Sequence, residues 1–132
     1  MKLKTDSIYE VVYLSEVDKN IERLVKKKKF KQLPAQIKML ESELAKGHFD
    51  EPPIWHQETP VPYDVYKVRL PNPDANVGKS HGYRVVYAVV SQNSIVVLIT
   101  VYYKKEQTDV TDSYVRGLID AYFLENTPAS EI

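Results

Sequence analysis

Apolar and polar positions along this chain follow two rhythms, and the switch between them marks the elements. Residues 7–14, SIYEVVYL, are β-branched and aromatic and predict a strand. Ser15 then offers an N-cap, with Glu16 and Asp18 in the first turn, and Ile21, Leu24 and Val25 keep helical spacing to about Lys28. A second helix starts near Pro34, carries Leu33, Ile37, Leu40 and Leu44 on one stripe, and stops at Gly47. Residues 47–64 hold Pro52, Pro53, Pro60 and Pro62, which lack the amide donor that regular ladders need, so this stretch predicts a long loop.

Three strands follow. VYKVRL (65–70) alternates, with Tyr66, Val68 and Leu70 on one face and Lys67 and Arg69 on the other. GYRVVYAVV (82–90) comes next, and IVVLITVYY (95–103) is apolar on both faces, as a central strand must be. Thr111 or Asp112 caps a last helix with Val115, Leu118, Ile119 and Tyr122 on one stripe, and the tail from about residue 126 to 132 is expected to fray. The order β, α, α, β, β, β, α predicts an α+β fold with a largely antiparallel sheet. At 132 residues the chain suits a single domain.

Composition narrows the function classes. Without cysteine there is no disulfide framework and no thiolate metal site. His48, His56 and His81 show no metal-ligand spacing, so neither metal nor cofactor is expected. No apolar run is long enough to span a membrane and the first residues lack a signal-peptide core, so the expected address is the cytoplasm. The formal net charge is zero, yet it sums unlike segments. Residues 19–38 hold eight basic side chains and one acid, residues 65–105 hold six and one, and residues 106–132 hold six acids against Arg116.

The motif that asks for an explanation is GKSHGYRVVY (78–87), where Arg84 interrupts an apolar strand. Its glycines predict a tight turn with positive φ, and the motif has neither the spacing nor the context of a phosphate loop. Together with YKVRLP before it and LITVYYKKEQTDVTD after it, this stretch resembles the RelE/ParE superfamily of toxins from toxin–antitoxin pairs, and within it the HigB-type branch. The close resemblance covers roughly residues 65–120. It implies two N-terminal helices packed on a curved, largely antiparallel sheet of about four strands, with a C-terminal helix. It also implies a ribosome-dependent endoribonuclease that cuts messenger RNA in the ribosomal A site, touches ribosomal RNA and is silenced by a cognate antitoxin.

Metal-free RNA cleavage uses the substrate's 2′-hydroxyl as nucleophile on the adjacent phosphate. It needs a base, positive charge on the pentavalent phosphate and an acid for the 5′-oxygen. By the resemblance, Arg84 is the phosphate clamp, its planar fork matching two oxygens. Lys67 is base or phosphate contact, Arg69 a phosphate contact, and Lys104 or Lys105 a proton donor or backbone anchor. His81, beside Arg84 in the turn, is a further acid–base candidate. Lys79, Tyr102 and Tyr103 are expected to touch RNA. The best-known RelE members carry a tyrosine near the start of the last helix. Here that position falls near Thr111, which cannot stack on a base, so Tyr102, Tyr103 or Tyr114 would have to replace it.

Each residue also has a structural reading. Arg84 could form an ion pair, Lys67 and Arg69 could be the solvated face of an edge strand, and Lys26 to Lys29 could complement a helix dipole. Trp55 is expected to pin the proline-rich loop to the core rather than stack on a base. Two other functions stay open: a ParE-like inhibitor of DNA gyrase, and an interaction module that kept the fold without the chemistry. The nuclease reading requires Lys67, Arg69, Arg84 and Lys104 or Lys105 to converge on one spot without being neutralised by acids of the chain.

Overall fold

The computed structural model describes residues 8–107 and 109–126, so Ser7 and most of the tail expected to fray lie outside the described residues. Its strands are β1 (Glu10–Tyr13), β2 (Trp55–Gln57), β3 (Tyr63–Leu70), β4 (Tyr83–Val90) and β5 (Ile95–Tyr103), and its helices α1 (Ser15–Lys28), α2 (Leu33–Ala45) and α3 (Asp112–Glu125). The strands form one mixed sheet in the order β1-β5-β4-β3-β2. β1 runs parallel to β5, with Val11 opposite Val96, and every other pairing is antiparallel.

The fold is α+β as expected, with five strands where about four were predicted. The extra one is β2, three residues inside the proline-rich stretch. Three residues carry no readable period, and the prolines all fall outside β2, at an edge where a missing donor costs nothing. A second departure concerns α1. Leu14, in extended backbone, occupies the N-cap position, and Ser15 is already the first helical residue.

β5 sits between β1 and β4, which explains why it is apolar on both faces. One face packs under α1 and α2, where Val17, Leu24, Leu33, Ile37 and Leu44 meet Val85, Tyr87, Leu98 and Val101. The other face packs under α3, where Val115 and Ile119 meet Val65, Val86, Ala88, Val97 and Ile99.

A bulge in β5 decides which side chains reach which face. Val86 pairs with Thr100, but Tyr87 pairs with Leu98, so Ile99 is an extra residue. Simple alternation would put Tyr102 on the side of Val96 and Leu98. The extra residue reverses this: Tyr102 joins the α3 side, and Tyr103 joins the α1/α2 side.

Candidate active site

The α3 face of the sheet changes character along its length. α3 covers its apolar half. Further along the same face β3 presents Lys67 and Arg69, β4 presents Arg84 and β5 presents Tyr102. Register brings them together, since Arg69 lies opposite Arg84 and Arg84 opposite Tyr102. Lys104 follows directly, its backbone N–H donating to the Gly82 carbonyl at 2.8 Å.

Asp109 occupies the middle of this group. Its Oδ1 accepts from the Tyr102 hydroxyl at 2.8 Å and lies 3.1 Å from Lys104 Nζ, while its Oδ2 lies 3.8 Å from Lys67 Nζ. The Tyr102 hydroxyl first, then Lys104 and Lys67, hold the Asp109 carboxyl below the usual carboxylate range. Burial, reinforced by Asp109, pushes the Tyr102 hydroxyl well up, so it stays a donor.

Arg84 is almost wholly buried, 5% exposed, and makes no ion pair among the described residues. Its Nη1 donates to the Lys79 carbonyl at 2.9 Å and the Tyr83 carbonyl at 3.3 Å, and its Nη2 donates to the Ser80 carbonyl at 3.0 Å. The guanidinium thus stitches the short 3₁₀ turn Lys79–His81 to the strand. Three of its five N–H donors are thus spent on main-chain carbonyls, so the structure gives Arg84 a turn-holding role beside the expected phosphate contact. Arg69, its register partner, is exposed and makes no ion pair among the described residues.

The turn also corrects the reason for its glycines. Gly78 and Gly82 both have negative φ. Gly82 is needed for close approach: a Cβ there would stand 2.1 Å from the Leu70 carbonyl oxygen. Lys79, Ser80 and His81 are exposed on this turn, with His81 Nδ1 3.0 Å from Ser80 Oγ.

Other expected residues fall outside the group. Tyr103 lies on the opposite face from Tyr102, edge-on to Phe30 with centroids 5.1 Å apart. Lys105 is exposed on the turn after β5 and makes no ion pair among the described residues, leaving Lys104 as the lysine tied into the group. Trp55 packs edge-on to Tyr63 and lies 4.2 Å from the Arg116 guanidinium, the pinning that was expected of it. Arg116 also donates to Gln57. His56 is held between Glu58 at 2.8 Å and Asp64 at 2.7 Å, and His48 contacts Glu43 at 2.7 Å. Among the described residues, no group of three or more His, Asp or Glu side chains is arranged to hold a metal ion.

The basic end of α1 is partly neutralised. Lys26 pairs with Glu22 at 2.8 Å, and Arg23 and Lys28 converge on Glu106 at 2.8 and 3.1 Å. Arg23 above all holds the Glu106 carboxyl below its ordinary value. This clamp ties the turn after β5 to α1. Lys27, Lys29 and Lys31 remain exposed.

Sequence reasoning missed Asp109, Asn20 and the pair Glu16–Tyr114. Asn20 Oδ1 accepts from the Val101 N–H at 2.9 Å and the Thr100 hydroxyl at 3.1 Å, capping the edge of β5 beyond the end of β1. Tyr114 donates to Glu16 at 2.7 Å across 98 residues of sequence. None of these has a spacing signature: Asn20 and the Glu16–Tyr114 pair join distant elements, and Asp109 reaches Tyr102, Lys104 and Lys67 only through the turn after β5.

No protein-family model matches the chain, and no curated protein matches its sequence. Among solved structures it is similar to the E. coli toxin RelE, an arginine-to-alanine double mutant in the free state, with TM-score 0.53, 18% identity, and 86% of this chain and 97% of that one covered. A crystal structure of the isolated E. coli RelE toxin also matches, at TM-score 0.39, 19% identity, 86% and 98% coverage, a score too low to carry weight. The fold is therefore RelE-like. These matches do not single out the HigB-type branch, and at such identity they speak for the fold alone.

Proposed function

We propose that this chain is a RelE-like toxin that cuts messenger RNA on the ribosome by metal-free attack of a 2′-hydroxyl on the adjacent phosphate. The observation that supports this reading is the convergence of Lys67, Arg69 and Lys104 around Tyr102, backed by Arg84, at the end of the sheet face that α3 leaves open. Charge concentrated where no helix covers it suits a polyanion whose charge grows in the transition state.

The roles differ from those read off the motif alone. Arg69 is the free fork and contacts the phosphate. Lys67 and Lys104 flank the same oxygens once RNA displaces Asp109 from between them. Arg84 positions the turn that carries Lys79 and His81 and adds positive charge from behind. His81 is the one imidazole at this end of the sheet, so it is assigned the proton transfer. The reading includes an antitoxin partner with an acidic segment, which this cationic end would attract.

Two observations favour the interaction module as second reading. Arg84 is committed to carbonyls, and Asp109 already neutralises part of the group. Induced expression followed by mapping of transcript ends separates them. Cleaved transcripts and arrested growth for the wild type, both abolished in Arg69→Ala, support the nuclease. Intact transcripts with DNA damage signalling point to gyrase, and intact transcripts with normal growth point to the module.

A further inference from the structure

Beside the cationic group, on the other side of the Tyr102–Asp109 pair, lies a cavity of about 370 Å³ between α1, the end of β5 and the start of α3. That is within the range of about 300–1,000 Å³ typical of small-ligand sites. Nothing in the chemistry of phosphate cleavage uses it, yet several polar side chains line it. Glu16 and Asn20 come from α1, Tyr102 from β5, and Gln107, Asp109 and Tyr114 from the segment leading into α3.

We propose that this cavity is a nucleobase pocket, and that Glu16 selects the base. The choice of an RNA base over another planar ligand rests on the ribonuclease reading. The selection itself follows from side-chain geometry. Glu16 Oε2 accepts from the Tyr114 hydroxyl at 2.7 Å and from Asn20 Nδ2 at 3.4 Å, so two neighbours orient the carboxylate. The Glu16 bond pushes the Tyr114 hydroxyl up to about 12, so it remains a donor to the carboxylate at neutral pH. Oε1 accepts no hydrogen bond among the described residues, and the long Asn20 contact yields to a shorter donor, so both oxygens can accept from a ligand.

A fixed carboxylate selects an edge with adjacent N–H donors. Among the RNA bases, guanine alone presents two such donors side by side, N1–H and the 2-amino group. Beside Glu16, the Gln107 side-chain amide makes no hydrogen bond among the described residues and can donate to guanine O6. The Tyr114 ring, nearly half exposed, offers a flat wall for stacking. Position completes the fit. Asp109 lines the cavity and also lies 3.1 Å from Lys104 Nζ, so a base inside would have its own phosphate at the cationic group.

The test titrates the full chain with the 3′-monophosphates of guanosine, adenosine, cytidine and uridine, followed by amide NMR shifts. Guanosine 3′-monophosphate should shift the Asn20 and Gln107 side-chain amides and the Tyr114 backbone saturably, and bind at least about fivefold tighter than the other three. Glu16→Gln, which keeps the Tyr114 bond and the fold, should erase that preference. Arg69→Ala should weaken all four nucleotides alike and keep their ranking. Equal binding of all four, shifts confined to Lys67, Arg69 and Lys104, or a preference that survives Glu16→Gln would overturn the pocket. Transcript mapping then separates the two readings. Guanosine-selective binding without any transcript cleavage leaves the pocket standing and removes the ribonuclease. Cleavage whose flanking base is unchanged by Glu16→Gln keeps the ribonuclease and removes the pocket.

Discussion

On the α1/α2 side, β3, β4 and β5 present Tyr66, Val68, Tyr83, Val85, Tyr87, Leu98 and Val101, and two helices cover them along the sheet. On the α3 side the same strands present Val65, Val86, Ala88 and Val97, and then Lys67, Arg69 and Arg84. One helix covers the first set; of the second, Arg84 is buried beneath its turn while Arg69 is exposed. The first face has the continuous apolar pattern of a surface built to be buried. The second breaks that pattern where it leaves the shelter of α3, and there the strands present only basic side chains, partly neutralised by Asp109 from the segment before α3. A strand needs no arginine to hold a core, and burying one requires hydrogen bonds for its donors. Arg84 meets that requirement with turn carbonyls. The difference teaches that one face is closed over by helices, while the other ends in basic side chains, Lys67 and Arg69, that no core packing requires.

Substitutions can break this division or sharpen it. The largest effect is expected on the closed face. Leu98→Ala should lower the unfolding free energy by about 2–5 kcal/mol in a urea titration, and with it every activity. Gly82→Ala should cost about 3 kcal/mol, because the new methyl meets the Leu70 carbonyl. It should also displace Lys79 and His81, which a shift of the turn amides in NMR would show. On the open face the pattern inverts. Arg69→Ala should change stability by less than about 0.5 kcal/mol while lowering transcript cleavage about 100-fold.

The weaker effects follow from charge. Asp109→Asn removes the resident anion from Lys67 and Lys104, so binding of a non-cleavable RNA should tighten by up to about fivefold. Asp109 has a lowered folded value, so its contribution to stability is present above its unfolded value and is lost as pH falls through the folded one. The variant should therefore lose part of the wild-type acid limb. His56 has the opposite sign. The Glu58 bond first, then Asp64, raises it above its ordinary value, so its contribution is present below the unfolded value and fades as pH rises through the folded one. Asp64→Asn should move the His56 NMR titration midpoint down without touching RNA binding.

Much of this was legible from residues. The both-sided apolar run predicted the placement of β5 inside the sheet, and the Leu33, Ile37, Leu40, Leu44 stripe predicted the buried side of α2. Lys67 and Arg69 share a face because period two requires it. What stayed hidden depends on register and on contacts between distant elements. The bulge at Ile99 decides that Tyr102 and not Tyr103 reaches the α3 face, and no residue type announces it. Gly82 looked like a turn glycine because close approach to Leu70 is set by the packing of β3 on β4. The bonds from Arg84 to the turn could not be read from the sequence, because its carbonyl partners belong to the backbone. Asp109 reads as one acid in an acidic tail until the chain folds it back between two lysines.

The most direct measurement is cleavage of a ribosome-bound messenger RNA by purified protein, comparing wild type with Arg69→Ala at matched thermal stability. A cationic end that grips the scissile phosphate predicts discrete cuts by the wild type and about 100-fold slower cutting by the variant. Intact RNA with the wild type, or equal cutting by both proteins, would contradict it.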